Sequence, residues 1–501
     1  MANDPQPHPL DYGVVVHGTP TSFLHVPEPK LTDSLIEAPK FDLAAYISNY
    51  RGRTVFRRLH LIASCSTVLA EEAARMAVLE AKRSSDVRNY LEAVALLEKV
   101  SKGKNLDHLL DPAWASQQEK KNVAETARLE SELKGYKNNL IKESIRMGNE
   151  DLGTHYYTIG DLNNAVKAYS RMRDYCTTTA HITSTAFRII AVAIEQRNWL
   201  AVQSQVQKVK NIQLKPEDMS RNQPKIQAAS GLQQMSSFEY REAANSFLST
   251  DPSLGDIYSD VLTSNDVAVY GGLCALASMS RSDLQTKVLE NSSFRNFLEL
   301  EPHIRRAISF FCASKYSQCL EILESHRADY LLDIYLQPLV ADIYTKIRTK
   351  SIVQYLQPFS KVTLASMERM FGRPSMSNGA ASGGDFLSEI VSLIQDGRLG
   401  ARIDMEHGVL ETVEHNPRAE AQQAALDMVD AFVREARLKL IRLQVINAGL
   451  EVKPPPKKKG WSMEQGDGAW DEGDASFLGP GGRDIMGNDF EGATSSQRKG
   501  G

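Results

Sequence analysis

A spacing of small and aromatic residues that occurs twice limits what this 501-residue chain can fold into. A glycine, an alanine twelve residues later and an aromatic residue four further on are repeated 78 residues along the chain. The first copy contains Gly153, Tyr156, Ala165 and Tyr169, and the second contains Gly231, Ala243 and Phe247. Small residues let antiparallel helices approach closely, and aromatic residues fill the space between successive helical pairs. The chain is therefore predicted to stack helical pairs.

Weaker copies of the pattern lie between and beyond these two. Their corresponding positions are Trp199, Val202 and Val206, and then Tyr316, Cys319 and Leu323. The intervals of 37, 41 and 76 residues indicate units of about 40 residues. Amphipathic segments such as residues 87–100 are expected to extend the stack towards the N-terminus. We predict a TPR-like helical-repeat solenoid over residues 41–335, whose function is to present surfaces.

The pattern changes near residue 350. Helical segments at 343–356 and 364–371 are followed by a Gly/Ser-rich loop at 372–384 and by a helix from Asp385 to Gly397. Strand-like alternation then runs from Leu399 to Val413 around a turn at Gly408. Helices followed by a small β-hairpin predict a winged helix over residues 336–416.

A long helix is predicted after the hairpin, within residues 417–450. Apolar residues follow one another there at steps of three and four, which is a heptad seam. The seam consists of Leu426, Val429, Val433, Ala436, Leu440 and Leu443. It could pack back on the winged helix or enter a helical bundle supplied partly by other chains. Met428, Phe432 and Ile446 widen the apolar stripe, which favours the bundle.

The charge balance argues against nucleic acid as a partner. The chain has 58 Lys and Arg against 62 Asp and Glu, a net charge of −4. Winged helices that bind DNA use the helix before the hairpin, but residues 385–398 hold three acidic residues and one basic residue. No apolar run approaches the roughly 18 residues of a membrane helix. No secretory signal is expected at the N-terminus, and five cysteines fit a reducing compartment.

The sequence lacks the common patterns of catalytic and metal sites. There is no H-x-H, H-E-x-x-H or C-x-x-C, no phosphate-binding G-x-x-x-x-G-K-[ST] and no G-x-S-x-G. Cys312 and Cys319 are seven residues apart, which suggests one helical face in the core. We therefore expect no catalytic residues, no cofactor and no metal.

Both ends of the chain are predicted to be disordered: a Pro-rich segment at 1–40 and a Gly-rich tail at 451–501. In the tail, Lys457–Lys459 is either a weak nuclear-import signal or a solvated basic run. Trp461, Trp470 and Phe477 stand among acidic residues, which fits a short docking motif or an ordinary flexible tail equally well.

Helical repeats that end in a winged helix and a bundling helix resemble the PCI-domain family. That module is shared by the proteasome lid, the COP9 signalosome and a translation initiation factor complex. Several segments over residues 41–447 closely resemble the signalosome's subunit 1 branch of the family. They are Ile141–Arg146, the turn at Asp161–Leu162, Tyr169–Arg171, Arg173–Cys176, Asp266–Leu276, Glu299–Pro302 and Leu331–Leu336.

The resemblance implies a non-catalytic scaffold subunit, located in nucleus and cytoplasm, of the complex that removes a ubiquitin-like modifier from cullin-RING ubiquitin ligases. It implies that the isopeptidase is another chain with a zinc-binding motif, that winged helices meet edge to edge, and that the heptad seam enters a common bundle. The solenoid would reach towards cullin-RING substrates. The alternatives are a paralogous lid subunit of the proteasome and, from another class, a winged-helix regulator that binds nucleic acid.

Overall fold

The computed structural model describes Ile36 and residues 39–101, 111–213, 215–372, 383–412 and 417–450. The chain divides into two units, one up to Glu414 and one from His415 onward. Most of the Gly/Ser-rich loop at 372–384, most of the segment at 1–40 and all of the tail with Lys457–Lys459, Trp461, Trp470 and Phe477 lie outside the described residues. Within the described part of the chain, no helix combines the length and apolarity needed to cross a membrane.

Helices follow one another through the larger unit, with short connections between them. The N-terminal helices are α1 (Leu43–Ser48), α2 (Arg53–Cys65), α3 (Ala70–Ser84), α4 (Val87–Ser101) and α5 (Pro112–Asn138). The next are α6 (Lys142–Thr158), α7 (Leu162–Arg173), α8 (Thr179–Glu195), α9 (Trp199–Lys210), α10 (Pro216–Ser236) and α11 (Tyr240–Leu248). Each helix from α5 to α10 packs against its successor, as predicted for a solenoid.

The later part of the stack contains shorter and less regular elements. A 3₁₀ turn at Pro252–Leu254 precedes the buried helix α12 (Ser264–Ser278), and a π-helix spans Leu284–Leu289. The remaining helices are α13 (Arg281–Asp283), α14 (Ser292–Leu300), α15 (Pro302–Cys312), α16 (Tyr316–Ser325), α17 (Arg327–Leu331) and α18 (Val340–Leu356). Cys312 ends α15 whereas Cys319 lies in α16, so the expectation of one helical face is wrong: the turn between these helices falls inside the seven-residue interval.

One turn recurs at the interval that the sequence pattern indicates. Gly160, Arg197, Phe238 and Ser314 all have positive φ, and they are separated by 37, 41 and 76 residues. After each of them the next backbone N–H donates to a carbonyl five residues back, as from Asp161 to Tyr156 at 2.9 Å. This bond closes the first helix of each pair with the same geometry. The repeat is therefore carried by backbone turns even where the glycine is replaced.

The winged helix contains a three-stranded antiparallel sheet, one strand more than the predicted hairpin. After α18 come β1 (Lys361–Thr363), α19 (Leu364–Phe371), α20 (Gly383–Gln395), β2 (Ala401–Asp404) and β3 (Val409–Thr412). The order is β1-β3-β2, with Val362 and Ile403 both opposite the fully buried Leu410. Three residues are too few to show an alternating pattern, which is why β1 escapes sequence analysis.

The N-terminal helices also fold back on the later repeats, which differs from a simple extension of the stack. The backbone N–H of Arg51 donates to the Ser259 carbonyl at 3.2 Å, and that of Lys40 donates to Asp329 Oδ1 at 2.8 Å. Ile36 is buried, and its N–H donates to the Cys65 carbonyl at 2.9 Å. Ile36 and Lys40 therefore contact the helical part of the chain, although both lie inside the segment predicted to be disordered.

The second unit contains helix α21 (Pro417–Asn447). It is the predicted heptad helix.

Candidate assembly interface

The first repeat copy is a close contact between α6 and α7. A Cβ atom placed on Gly153 would lie 2.6 Å from Cε1 of Tyr169, whose ring is buried beside the fully buried Ala165. Tyr156 is half-buried, and its hydroxyl donates to Glu130 Oε1 on α5 at 2.9 Å. At Gly153 the two helices therefore lie so close together that a side chain larger than hydrogen would overlap the Tyr169 ring.

The second copy repeats this contact between α10 and α11. A Cβ atom on Gly231 would lie 2.8 Å from three ring atoms of Phe247, and both Phe247 and Ala243 are fully buried. On the other side, a Cβ atom on Gly271 of α12 would lie 3.0 Å from the Phe247 Cβ. The Phe247 side chain is thus enclosed between two glycine-bearing helices and has no room to move away.

This enclosure predicts the sign of a substitution. Replacing a helical glycine by alanine normally stabilises by about 1 kcal/mol, but Gly231→Ala forces a methyl group into the Phe247 ring, at a cost of about 1–3 kcal/mol. We expect a net loss of up to about 2 kcal/mol in urea denaturation. A Cβ atom added to Gly135 of α5 would have no neighbouring atom within 4 Å, so Gly135→Ala should instead raise stability. Equal effects of the two variants would contradict the packing described here.

A buried arginine joins α2 to the later repeats. This residue is Arg58. The Arg58 cluster consists of Arg58 and its partners Tyr46, Tyr50, Asp266, Tyr270 and Asp333. The guanidinium of Arg58 is fully buried and donates to Asp333 Oδ2 at 2.5 Å and to Asp266 Oδ2 at 3.1 Å. Its carbon lies 4.0 Å from the centroid of the Tyr50 ring. The cluster therefore connects positions 208 and 275 residues apart in sequence.

Hydrogen bonds satisfy the carboxylates of this cluster. Asp333 accepts from the backbone N–H groups of Tyr335 and Leu336, both at 2.9 Å, and from the Tyr270 hydroxyl. Asp266 accepts from the Tyr50 hydroxyl at 2.7 Å and from the backbone N–H of Thr263 at 3.0 Å. Burial raises the pKa of Asp266 above its usual value, although Arg58 acts to lower it.

The arginine itself remains charged. Burial acts to lower the pKa of Arg58, but the attraction of Asp266 and Asp333 outweighs this effect and raises the pKa well above its usual value. The cluster therefore holds a permanent cation inside the larger unit. Sequence analysis missed it, because one arginine on an amphipathic helix gives no sign of partners more than 200 residues away.

The winged helix is continuous with the last repeat. The ring of Phe371 at the end of α19 stacks on that of Tyr316 of α16, with ring centroids 6.4 Å apart. It meets the ring of Tyr355 of α18 edge-on, with centroids 5.5 Å apart. Arg348 of α18 pairs with Glu389 of α20 at 2.7 Å and donates to the Phe371 carbonyl at 2.6 Å. These contacts orient the sheet, whose outer strands are β1 and β2.

Helix α21 carries large apolar side chains that are exposed. In the predicted seam, Leu426 and Leu440 are 60% exposed, while Ala436 is half-buried. The remaining seam residues, Val429, Val433 and Leu443, are exposed as well. Exposed apolar residues outside the seam are Met428, Phe432, Leu438, Ile441, Val445 and Ile446. From Leu438 onward they point to several sides of the helix, between the exposed polar residues Lys439, Arg442 and Gln444.

The part of the chain that the structure describes holds no group of three or more His, Cys, Asp or Glu side chains placed to bind a metal.

Two family models match the chain. One, described as the PCI domain, covers residues 323–414, and the other, described as 26S proteasome subunit RPN7, covers residues 111–287.

Full-length relatives distinguish the signalosome branch from the lid branch. A protein from Emericella nidulans named COP9 signalosome complex subunit 1 is 58% identical over 432 residues, covering 86% of each chain. This chain belongs to the COP9 signalosome subunit 1 family. The family members of that name from Neurospora crassa and Arabidopsis thaliana are 40% and 38% identical, each over 82% of this chain and 91% of their own length.

The two family models match different parts of the chain. The stretch similar to the proteasome subunit runs from α5 to the π-helix, and the PCI match runs from α16 to the end of the sheet. Helix α21 lies beyond both matches. In this family member, the exposed apolar helix is therefore a feature that neither family model describes.

Proposed function

We propose that this chain is a non-catalytic scaffold subunit of a COP9 signalosome, held in the complex by α21 and by the edges of its winged helix. The observation that carries the proposal is the exposure of the apolar side chains along α21. Full burial of one such side chain stabilises an assembly by about 1.5–3 kcal/mol. A helix with this many exposed apolar residues is suited to a bundle formed with other subunits.

The shape of the apolar surface supports a bundle over a two-helix contact. Before Leu438 the apolar residues cover one broad side of α21, and after it they point to several sides of the helix. A single partner helix covers one seam only. Several helices, as in a bundle, would cover the apolar side chains that lie on different sides of the last turns.

The sheet supports a second contact of a different kind. β1 and β2 are the outer strands, and an outer strand offers unpaired N–H and C=O groups to a neighbouring chain. We propose that strands of neighbouring winged helices add to these edges. Because Phe371 packs the winged helix against Tyr316 and Tyr355, pairing at the sheet edges would also fix the direction of the repeats relative to the neighbouring subunits.

In the proposed complex, the chain supports removal of the ubiquitin-like modifier from cullin-RING ligases, and another subunit carries the isopeptidase. We propose that the solenoid contributes to contacts with those substrates. A location in nucleus and cytoplasm remains a prediction. Isopeptidase activity of the purified single chain would contradict the non-catalytic role.

Two alternatives are less well supported. A lid subunit of the proteasome would fit the match at residues 111–287, but the full-length relatives carry the signalosome name. A nucleic-acid regulator would need a basic recognition helix, whereas residues 385–398 before the hairpin hold three acidic residues and one basic residue.

Two truncations test the proposal. Tagged chains lacking residues 451–501 or lacking residues 417–501 should be expressed in the organism's own cells, purified and analysed by native mass spectrometry. We expect the first to remain in a complex with an isopeptidase subunit and cullins, and the second to be lost from it. Retention of the second would contradict the role of α21, and co-purification with an ATPase ring would point to the lid.

A further inference from the structure

The turn between α5 and α6 is built from residues that its local structure does not favour. Leu140 has a φ of +57°, a conformation that favours glycine or asparagine. Ile141 is the N-cap of α6, where Ser, Thr, Asp or Asn would accept a backbone hydrogen bond. Lys142 occupies the first helical position, where the helix dipole favours an acidic side chain.

Two other turns in the chain carry a capping side chain at the position of Ile141, whereas Glu239 and Lys315, which follow the positive-φ residues Phe238 and Ser314, accept no such bond. Asp161 and Asn198 are the N-caps of α7 and α9, and their side chains accept from backbone N–H groups at 3.2 and 3.1 Å. The fold can therefore place a capping residue at such a position. The residues at the α5–α6 turn are not explained by the requirements of helix formation.

Burial does not explain them either. Leu140 is 81% exposed and Ile141 is 56% exposed, so neither side chain gains much from the core. The adjoining hydrophobic cluster is complete without them and consists of Leu129, Leu133, Ile145 and Leu152, with Tyr136, Tyr156 and Tyr175 around it. Two adjacent apolar side chains that are locally unfavourable and unused by the core point to a functional site.

The charges around the turn define the kind of partner. Lys137 and Lys142 lie within three residues of the two apolar side chains in sequence, Lys134 lies three residues before Lys137, and all three lysines are exposed. Among the described residues none of these three lysines forms an ion pair, whereas the neighbouring Glu143 is bonded to Arg146 at 2.7 Å. The turn thus combines two exposed apolar side chains with three nearby lysines in sequence that form no ion pair among the described residues.

We propose that the α5–α6 turn is a docking site that inserts Leu140 and Ile141 into an apolar pocket bordered by Asp and Glu residues on another protein. Electrostatic complementarity would orient the partner, and the two apolar side chains would be the buried anchors. This surface is separate in sequence from α21 and from the sheet edges. The docking proposal can therefore be supported or contradicted independently of the proposed function.

Site-specific photo-crosslinking tests the proposal. A chain carrying benzoylphenylalanine at position 140 should be assembled in the organism's own cells, purified in complex, irradiated and analysed by mass spectrometry. We expect crosslinks to one apolar site flanked by acidic residues on another protein. The matched control is position 200, because Leu200 is 64% exposed on the regular helix α9. No signal above this control, a site without acidic residues, or a crosslink to a second copy of this chain would overturn the proposal.

Two sets of variants separate binding from folding. Leu140→Gly with Ile141→Ser should keep or raise the thermal midpoint of the full chain, because both residues then suit their backbone positions. When the crosslinker is moved to position 139, this pair of substitutions should lower the yield of crosslinked partner about tenfold or more relative to the unsubstituted chain. Lys137→Glu with Lys142→Glu should also lower the yield, whereas Lys208→Glu with Lys210→Glu at the end of α9 should not. A lower midpoint for the first pair would show that the turn serves folding and would contradict the docking role.

Discussion

Replacing Arg58 by methionine is expected to lower the free energy of unfolding of the larger unit by about 3–5 kcal/mol. Methionine fills a similar volume, but the carboxylates of Asp266 and Asp333 would remain buried without a cation. An uncompensated charge in this environment is far more costly than a lost surface ion pair. The loss should appear as a lower midpoint in urea denaturation followed by circular dichroism.

Hydrogen exchange would show where this loss acts. Protection should fall first in α1 and α2 and in the segments at 259–270 and 329–337, because the Arg58 cluster joins them. Arg75→Met is the matched control, since Arg75 pairs with Glu71 on an exposed helix face, and it should change stability by less than about 0.5 kcal/mol. A loss no larger for Arg58→Met than for Arg75→Met would show that the cluster does not hold the fold together.

The carboxylates can be neutralised to separate charge from packing. When Arg58→Met is combined with Asp266→Asn and Asp333→Asn, we expect part of the lost stability to return, because no isolated charge is left in the interior. A triple variant less stable than Arg58→Met alone would mean that the hydrogen bonds accepted by the two carboxylates dominate over their charge.

Placing a charge in the heptad seam, as in Leu440→Glu, is expected to weaken incorporation into the complex on the order of 100-fold. Each tenfold corresponds to about 1.4 kcal/mol, and burying an unpaired carboxylate in a helical bundle costs more than two such steps. Since Leu440 is 60% exposed in the chain described here, the same change should leave the thermal midpoint of the free chain nearly unaltered. Competition between tagged wild-type and variant chains for the complex would measure the ratio.

A control on the same helix separates position from charge. Ala431 is exposed and lies on the side of α21 away from the seam, by the 100° rotation per residue. Ala431→Glu adds the same charge at that position and should be incorporated normally. Equal incorporation of the Leu440→Glu and Ala431→Glu chains would contradict the assignment of the seam to a bundle.

Elements with a long periodic pattern were accessible from sequence. The intervals between Gly153 and Gly231, and between Ala165 and Ala243, indicated helical pairs, and the structure places each glycine against an aromatic ring of the next helix. The apolar steps from Leu426 to Leu443 indicated α21 in the same way. Local patterns suffice here because the contacts that form these helices lie within a few turns of one another.

Elements whose partners are distant in sequence were not accessible. β1 has three residues and is a strand only because Leu410, almost fifty residues later, lies beside Val362. Arg58 is an ordinary residue of an amphipathic helix until α2 folds back on α12, and the cysteines at 312 and 319 are separated by a turn with Ser314 at positive φ. In each case the deciding contact is absent from the local pattern.

Neighbouring residues were enough to predict a series of helical pairs that ends in a winged helix and an amphipathic helix, because the 3.6-residue periodicity and the small-aromatic spacing are local patterns. The return of the N-terminal helices to the later repeats around Arg58, and the exposure of Leu140 and Ile141 at a locally unfavourable turn, became visible only in the folded chain. Burial and charge pairing depend on which distant segments meet, and no local pattern records that.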